Sequence, residues 1–124
     1  MKQQHVDPPS MDLAIRLSET PDGPHHEFAL VAVDGTLSDR STVPDAAAAL
    51  TAVSEHGQAI FFPEPGPPKR CTQQYGGPQR ALITGTFDGR AVHTELSLTD
   101  GCEIARWRAL APLLGGTPGS KGAI

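Results

Sequence analysis

A chain of 124 residues with 38% hydrophobic content has enough apolar material for one domain with one modest core. A net charge of −4, with no basic cluster beyond Lys69–Arg70, excludes a nucleic-acid surface. No apolar run is long enough to cross a membrane. The 13 glycines and 12 prolines, against one Trp, one Tyr and four Phe, indicate a chain rich in turns and loops. Residues 1–10 lack the apolar run of a signal peptide and read as a flexible segment. They precede a single domain over residues 11–112, with a flexible tail over 113–124.

Leu13, Ile15 and Leu17 alternate, which predicts a strand over 12–18 with one buried face. Residues 21–26, PDGPHH, read as a turn, so His25 and His26 fall outside regular structure. Residues 27–33, EFALVAV, carry apolar side chains on both faces and predict a central strand ended by Asp34–Gly35. A polar loop over 36–43 follows. Pro44 suits a first helical turn and Asp45 complements its dipole. The run AAAALTAVSEH then predicts a helix stopping at Gly57, with Leu50 and Val53 toward the sheet. Ile60–Phe62 read as a short separate buried piece, and the proline-rich residues 63–70 as a stiff extended loop.

Residues 80–87 and 90–98 read as a hairpin around Asp88–Gly89, a dipeptide suited to a two-residue turn. Ala81, Ile83 and Gly85 share one face, with Leu82, Thr84 and Thr86 on the other. Val92, Leu96 and Leu98 show no clean alternation, so a bulge or a two-sided strand is expected. Residues 103–114, EIARWRALAPLL, fit a helix or a last strand, and Pro112 opposes a long regular helix. The fold class is α+β: an antiparallel sheet of about five strands with one main helix packed on one face. The predicted core comprises Leu13, Ile15, Phe28, Leu30, Leu50, Val53, Leu82, Val92 and Leu96.

The chain has no glycine-rich phosphate loop, no HExxH and no GxSxG. His25–His26 read as solvated turn residues rather than metal ligands. A catalytic Cys/His pair is disfavoured because no second domain or cleft is in view. The expectation is no enzyme, no cofactor and no metal. Cys71 and Cys102 are one disulfide or two free thiols; the lack of a CxxC spacing and of flanking metal ligands favours the disulfide. Closing a loop of about 32 residues contributes roughly 3–4 kcal/mol on the chain-entropy account. Between the cysteines lies a short polar loop backed by a hairpin, an arrangement that holds a peptide out rigidly.

Three pieces carry a family resemblance: Cys71–Thr72–Gln73–Gln74–Tyr75, the strand pair ALITGTFDGRAV, and the closing Cys102–Glu103. They resemble the C-terminal half of the subtilisin-inhibitor-like (SSI-like) family, small secreted bacterial inhibitors of serine proteases. The match spans roughly residues 60–105, and the strand, strand, loop, helix order agrees over 11–58. The resemblance implies an SSI-like sandwich and a substrate-like reactive loop over residues 70–77. Gln73 would enter the protease's primary specificity pocket and Gln74 would follow the reactive bond. Thr72 and Cys71 would precede Gln73, Tyr75 would lie beyond Gln74, and a Cys71–Cys102 disulfide would brace the loop.

It also implies a secreted protein whose signal segment is not in this chain and a homodimer formed through the exposed sheet face, and the neutral Gln73 favours a subtilisin-like over a trypsin-like target. The chain departs from the family pattern in several places, among them Thr72 where a proline is frequent and a chain that runs on past the family's usual end. The second disulfide usual there has no cysteines near Asp34 or Ala47–Ala48. Gln73 stands where Met, Lys or Arg is common. Gly76–Gly77 is expected to loosen the far side of the loop. Two alternatives remain: a non-inhibitory binding module on the same scaffold, and a small cytoplasmic protein.

Overall fold

The computed structural model describes residues 10–20, 22–66 and 70–114. The flexible segments expected at either end lie outside those residues, apart from Ser10, Leu113 and Leu114, and Pro67–Lys69 of the extended loop lie outside them too.

Alternation dictates the first strand. In β1, Met11–Ser18, Met11, Leu13 and Ile15 are buried while Asp12, Ala14 and Arg16 face solvent. β2 spans His25–Val33, β3 Thr36–Leu37, β4 Arg80–Phe87 and β5 Arg90–Ser97, and together they form one antiparallel sheet in the order β3-β2-β1-β4-β5. The α+β class and the five strands therefore stand as expected.

Several details differ from the sequence reading. His25 and His26 belong to β2, opposite Ser18 and Leu17, because the register of β1 carries pairing back to that point. The segment read as polar loop contains β3. The strands bonded on both sides along their whole length are β1 and β4; β2 meets β3 only at Ala32 and Val33. The second apolar face of β2 has another cause. Val31 is only 5% exposed because the loop after β3 folds over it, with Ser41 Oγ accepting from the Val31 N–H at 2.9 Å and donating to its carbonyl at 3.1 Å.

The first helix, α1, spans Ala46–Phe61. Asp45 is its N-cap, accepting from the Ala48 N–H at 3.1 Å, so Pro44 precedes the helix rather than opening it. Gly57 does not end it. A Cβ there would lie 3.0 Å from Val53 and 3.2 Å from Phe61, so the missing side chain leaves room for a close contact inside the helix. Ile60 and Phe61 are consequently the buried last turn of α1 rather than a separate piece.

β5 has no bulge. Val92, Thr94, Leu96 and the following Leu98 share one buried face, and the hydroxyl of Thr94, 6% exposed, had masked the alternation. Leu82 points to the opposite, open face and is only half-buried. Of the other predicted core residues, Phe28 and Leu50 pack against the core from partly buried positions and the rest are buried. The chain after β5 forms a second helix, α2, Gly101–Ala109, and a 3-10 turn, Ala111–Leu114, which begins beside Pro112. Trp107, Leu110, Leu113 and Leu114 join the same core as α1 and the sheet. Among the described residues there are thus two helices, and the packed domain includes Leu113 and Leu114, beyond the expected boundary at residue 112.

Two tight turns sit at one end of the sheet. Asp34 and Asp88 both take φ near 51°, each followed by a glycine with positive φ. Ser10 ties them together: its N–H donates to Asp88 Oδ1 at 2.8 Å, and its Oγ accepts from the Asp34 N–H at 2.9 Å.

Where β4 crosses β1, Gly85 sits opposite Leu13 with φ 128°. A Cβ there would run into the Asp12 carbonyl. Gly85→Ala is therefore expected to lower stability by roughly 2–4 kcal/mol through strain at positive φ and backbone overlap. Urea unfolding should show an earlier midpoint at unchanged slope.

Candidate functional site

The chain leaves α1 at Phe62, and the residues from Arg70 to Gly76 then run in no regular structure, every one exposed. Three tethers hold this stretch. A disulfide joins Cys71 to Cys102, with Cα atoms 5.2 Å apart. One residue on, the Thr72 carbonyl accepts from the Gly101 N–H at 3.0 Å. At the far side, the Gly76 N–H donates to the Leu98 carbonyl at 2.7 Å. Gln73, Gln74 and Tyr75 lie between the backbone tethers, and Tyr75 is 64% exposed.

The platform beneath the loop is built locally by the sequence Thr-Asp-Gly-Cys-Glu. Asp100 is the N-cap of α2 and accepts from the Glu103 N–H at 2.9 Å. Glu103 pairs with Arg106 at 3.2 Å, both about seven-tenths buried. Arg106 reaches on to the Ile60 carbonyl at 3.4 Å, linking α2 to the end of α1. The first turn of α2, which carries both Gly101 and Cys102, is thereby held from three directions. The loop inherits that rigidity through the disulfide and the Thr72 bond.

The Gly76–Gly77 pair acts opposite to the expected loosening. Gly76 packs against the core, where a Cβ would stand 3.2 Å from Leu98 and from Ile104. Only a residue without a side chain brings the backbone near enough to bond Leu98 undisturbed. Gly77 takes φ 137°, and the Gln79 side chain packs against it, its Oε1 buried with no hydrogen-bond partner. The sequence signal that could have found this anchor is a glycine pair a few residues before a strand, where close backbone approach is a standing reason for glycine.

Sequence reading thus placed Cys71, Thr72, Gln73, Gln74 and Tyr75 on an exposed loop and paired Cys71 with Cys102, as found. It missed Gly76, Leu98 and Gly101. The Asp100 carboxylate lies within 4.8 Å of both sulfurs. It already caps α2 and the sulfurs are bonded to each other, so this cluster offers no thiolate ligands to a metal. Among the described residues no helix is long and apolar enough to cross a membrane. Neither a protein-family model nor a curated protein sequence matches the chain.

Replacing Cys71 and Cys102 together by serine should cost roughly 3–4 kcal/mol on the chain-entropy account, measured as a lower denaturation midpoint. Limited proteolysis of this variant should cut first between residues 70 and 77, where the covalent tether is gone and the backbone bonds at Thr72 and Gly76 hold the stretch less firmly.

Proposed function

We propose that the chain is a serine-protease inhibitor of the subtilisin-inhibitor-like kind, presenting residues 70–77 to a subtilisin-like enzyme as a substrate would. The observation that carries this reading is the set of exposed residues Gln73, Gln74 and Tyr75 fixed between a disulfide-braced anchor and a backbone anchor. A surface loop without a partner needs no such bracing. A loop meant to enter an active site gains from it, because the ordering cost of binding is met during folding.

An extended loop of this kind pairs as a strand with the exposed edge beside a protease active site, and side chains next to the reactive bond set specificity. In this reading Gln73 enters the primary pocket and Gln74 follows the reactive bond. If the bond between them is cut, neither new end departs. The Gln73 end stays on Cys102 through Cys71, and the Gln74 end stays on Leu98 through Gly76. The two ends remain positioned for religation, and the product blocks the enzyme. The chain itself performs no catalysis and needs no cofactor. The disulfide suits an oxidising compartment, which supports a secreted protein. The sheet with helices on one face supports an SSI-like sandwich.

The glutamine is neutral and of medium size. A broad apolar pocket accepts it, whereas a trypsin-type pocket would leave a buried carboxylate unpaired. Subtilisin-like enzymes should be inhibited at micromolar concentrations or below, and trypsin-like enzymes poorly. Gln73→Lys should shift preference toward trypsin. Gln73→Pro should abolish inhibition by fixing φ at the reactive bond. Reduction of the disulfide should convert the inhibitor into a substrate cut once between Gln73 and Gln74. If no protease of either type is inhibited and the Gln73 variants all behave like the parent, the stretch is only a surface loop and the reading fails.

A further inference from the structure

The reactive bond assigned above has glutamine on its far side, and that residue brings chemistry of its own. Cutting the bond frees the α-amine of Gln74. A glutamine with a free α-amine carries its own electrophile. The amine and the side-chain carboxamide carbon, Cδ, are spaced to close a five-membered ring, and a reaction within one residue needs no encounter between separate molecules. Within residues 70–77 only Gln73 and Gln74 carry a carboxamide. Gln73 gains a carboxylate from the cut, while its nitrogen stays in the peptide bond to Thr72. It therefore has no free amine with which to close.

In the intact chain the Gln74 ring cannot form. Its nitrogen belongs to a peptide bond, with the lone pair delocalised into the Gln73 carbonyl. The residue is inert until a protease has acted on the loop.

The structure leaves Gln74 free to turn. It is exposed, and among the described residues neither its carboxamide nor its backbone N–H is hydrogen-bonded. The backbone bonds that fix the stretch lie to either side of it, from Thr72 to Gly101 and from Gly76 to Leu98. Once the Gln73–Gln74 bond is gone, Gln74 and Tyr75 project from the Gly76 anchor as a short exposed end. Exposed side chains change rotamer in picoseconds to nanoseconds, so the carboxamide samples the curled arrangement that the ring requires.

We infer that Gln74 is a self-modification site that ends the working life of a cut inhibitor by closing to pyroglutamate. This rests on the reading of residues 70–77 as a reactive loop. The lone pair of the Gln74 α-amine attacks Cδ and forms the ring bond. The Cδ–Nε2 bond breaks with its electron pair on Nε2, which takes a proton from the amine and leaves as ammonia. Nothing is oxidised or reduced, and no other reactant is consumed.

The consequence falls on religation. Resealing needs the free Gln74 amine to attack the acyl group that Gln73 forms on the protease serine. A ring amide nitrogen is no nucleophile, because its lone pair is delocalised again. The tethers at Cys71 and Gly76 still hold both ends in place, yet the bond is not remade. A nicked molecule either reseals on an enzyme or closes while it stands, and closure runs one way. Inhibition is thus self-limiting in time.

The whole chain is nicked with a trace of a subtilisin-like protease, the protease is inactivated, and the nicked form is held for days at neutral pH. After reduction of the disulfide, the fragment beginning at Gln74 should become lighter by one molecule of ammonia, and the fragment ending at Gln73 should keep its mass. Mixed with fresh protease at equal concentration, newly nicked protein should regenerate intact chain. Aged protein should lose that capacity in proportion to the ammonia released. Gln74→Met, of similar length but without a carboxamide, should keep both its mass and its resealing on standing. Each form is compared with itself, fresh against aged, so a change in affinity drops out. A Gln74 fragment of constant mass, or aged protein that reseals as well as fresh, overturns the inference and leaves the protease reading standing. Newly nicked protein that never reseals overturns the role given to the ring. A chain that is not cut between Gln73 and Gln74 overturns both.

Discussion

The pairing of β1 with β4 is the constraint on which the rest depends. β1 lies near the start of the chain and β4 follows the exposed loop, yet Ile15 stands opposite Ile83 and Leu17 opposite Ala81. Without that contact β1–β2 and β4–β5 would be two separate hairpins, each with one apolar face and no partner wide enough to cover it. Joined, they form one sheet broad enough for α1 and the final 3-10 turn to pack on. Gly85 is the local condition for the joint, because the two backbones pass too closely there for any side chain. The pairing is also non-local and carries the loop-closure cost of bringing distant segments together. The Cys71–Cys102 bond closes a separate loop of 31 residues, the one holding the hairpin itself.

The placement of the loop follows from the same joint. Arg80, the first residue of β4, is opposite both Ser18 and Ser97, so the chain must emerge beside the end of β5. There the first turn of α2 meets it. The two local anchors work by different physics. The Cys71 side is covalent and rests on a capped helix end. The Gly76 side is a backbone bond to Leu98 at a point where a side chain would crowd Leu98 and Ile104. Together they leave three side chains exposed while fixing the backbone that carries them. Exposure and rigidity usually oppose each other in a loop, and a helix N-terminus bonded to one end of the stretch reconciles them here.

The charged residues of the open face lie mostly where water reaches them. Arg16 and Glu27 face each other across β1 and β2 at 3.6 Å, and Arg40 approaches Asp12 at 3.9 Å, all more than half exposed. Such pairs contribute little to stability and mainly keep the face soluble. At the hairpin end of the covered face the contacts are largely aromatic. Phe61, Phe62 and Phe87 meet at ring distances of 5.9 to 6.4 Å, and the Arg90 guanidinium lies 3.8 Å from the Phe62 centroid, closing the hairpin end of the core.

Local pattern decided a good part of this molecule. The alternation of Leu13 and Ile15, the Asp88–Gly89 turn, the Asp45 cap and the polar stretch after Cys71 each carry their structure within a few residues, because period, turn chemistry and capping are short-range effects. Other features needed the tertiary structure. Gly57 reads as a helix stop, since intrinsic propensity cannot see that Val53 and Phe61 require its empty side. Thr94 hides the face of β5, because a buried hydroxyl looks polar in sequence. Val31 suggested a central β2, although its cover is a loop rather than a helix. Gly76 resembled slack and is an anchor, because its bond to Leu98 joins residues that only the completed hairpin brings together. The sequence determined which segment is displayed; the packing of α2 and β5 decided how firmly it is held.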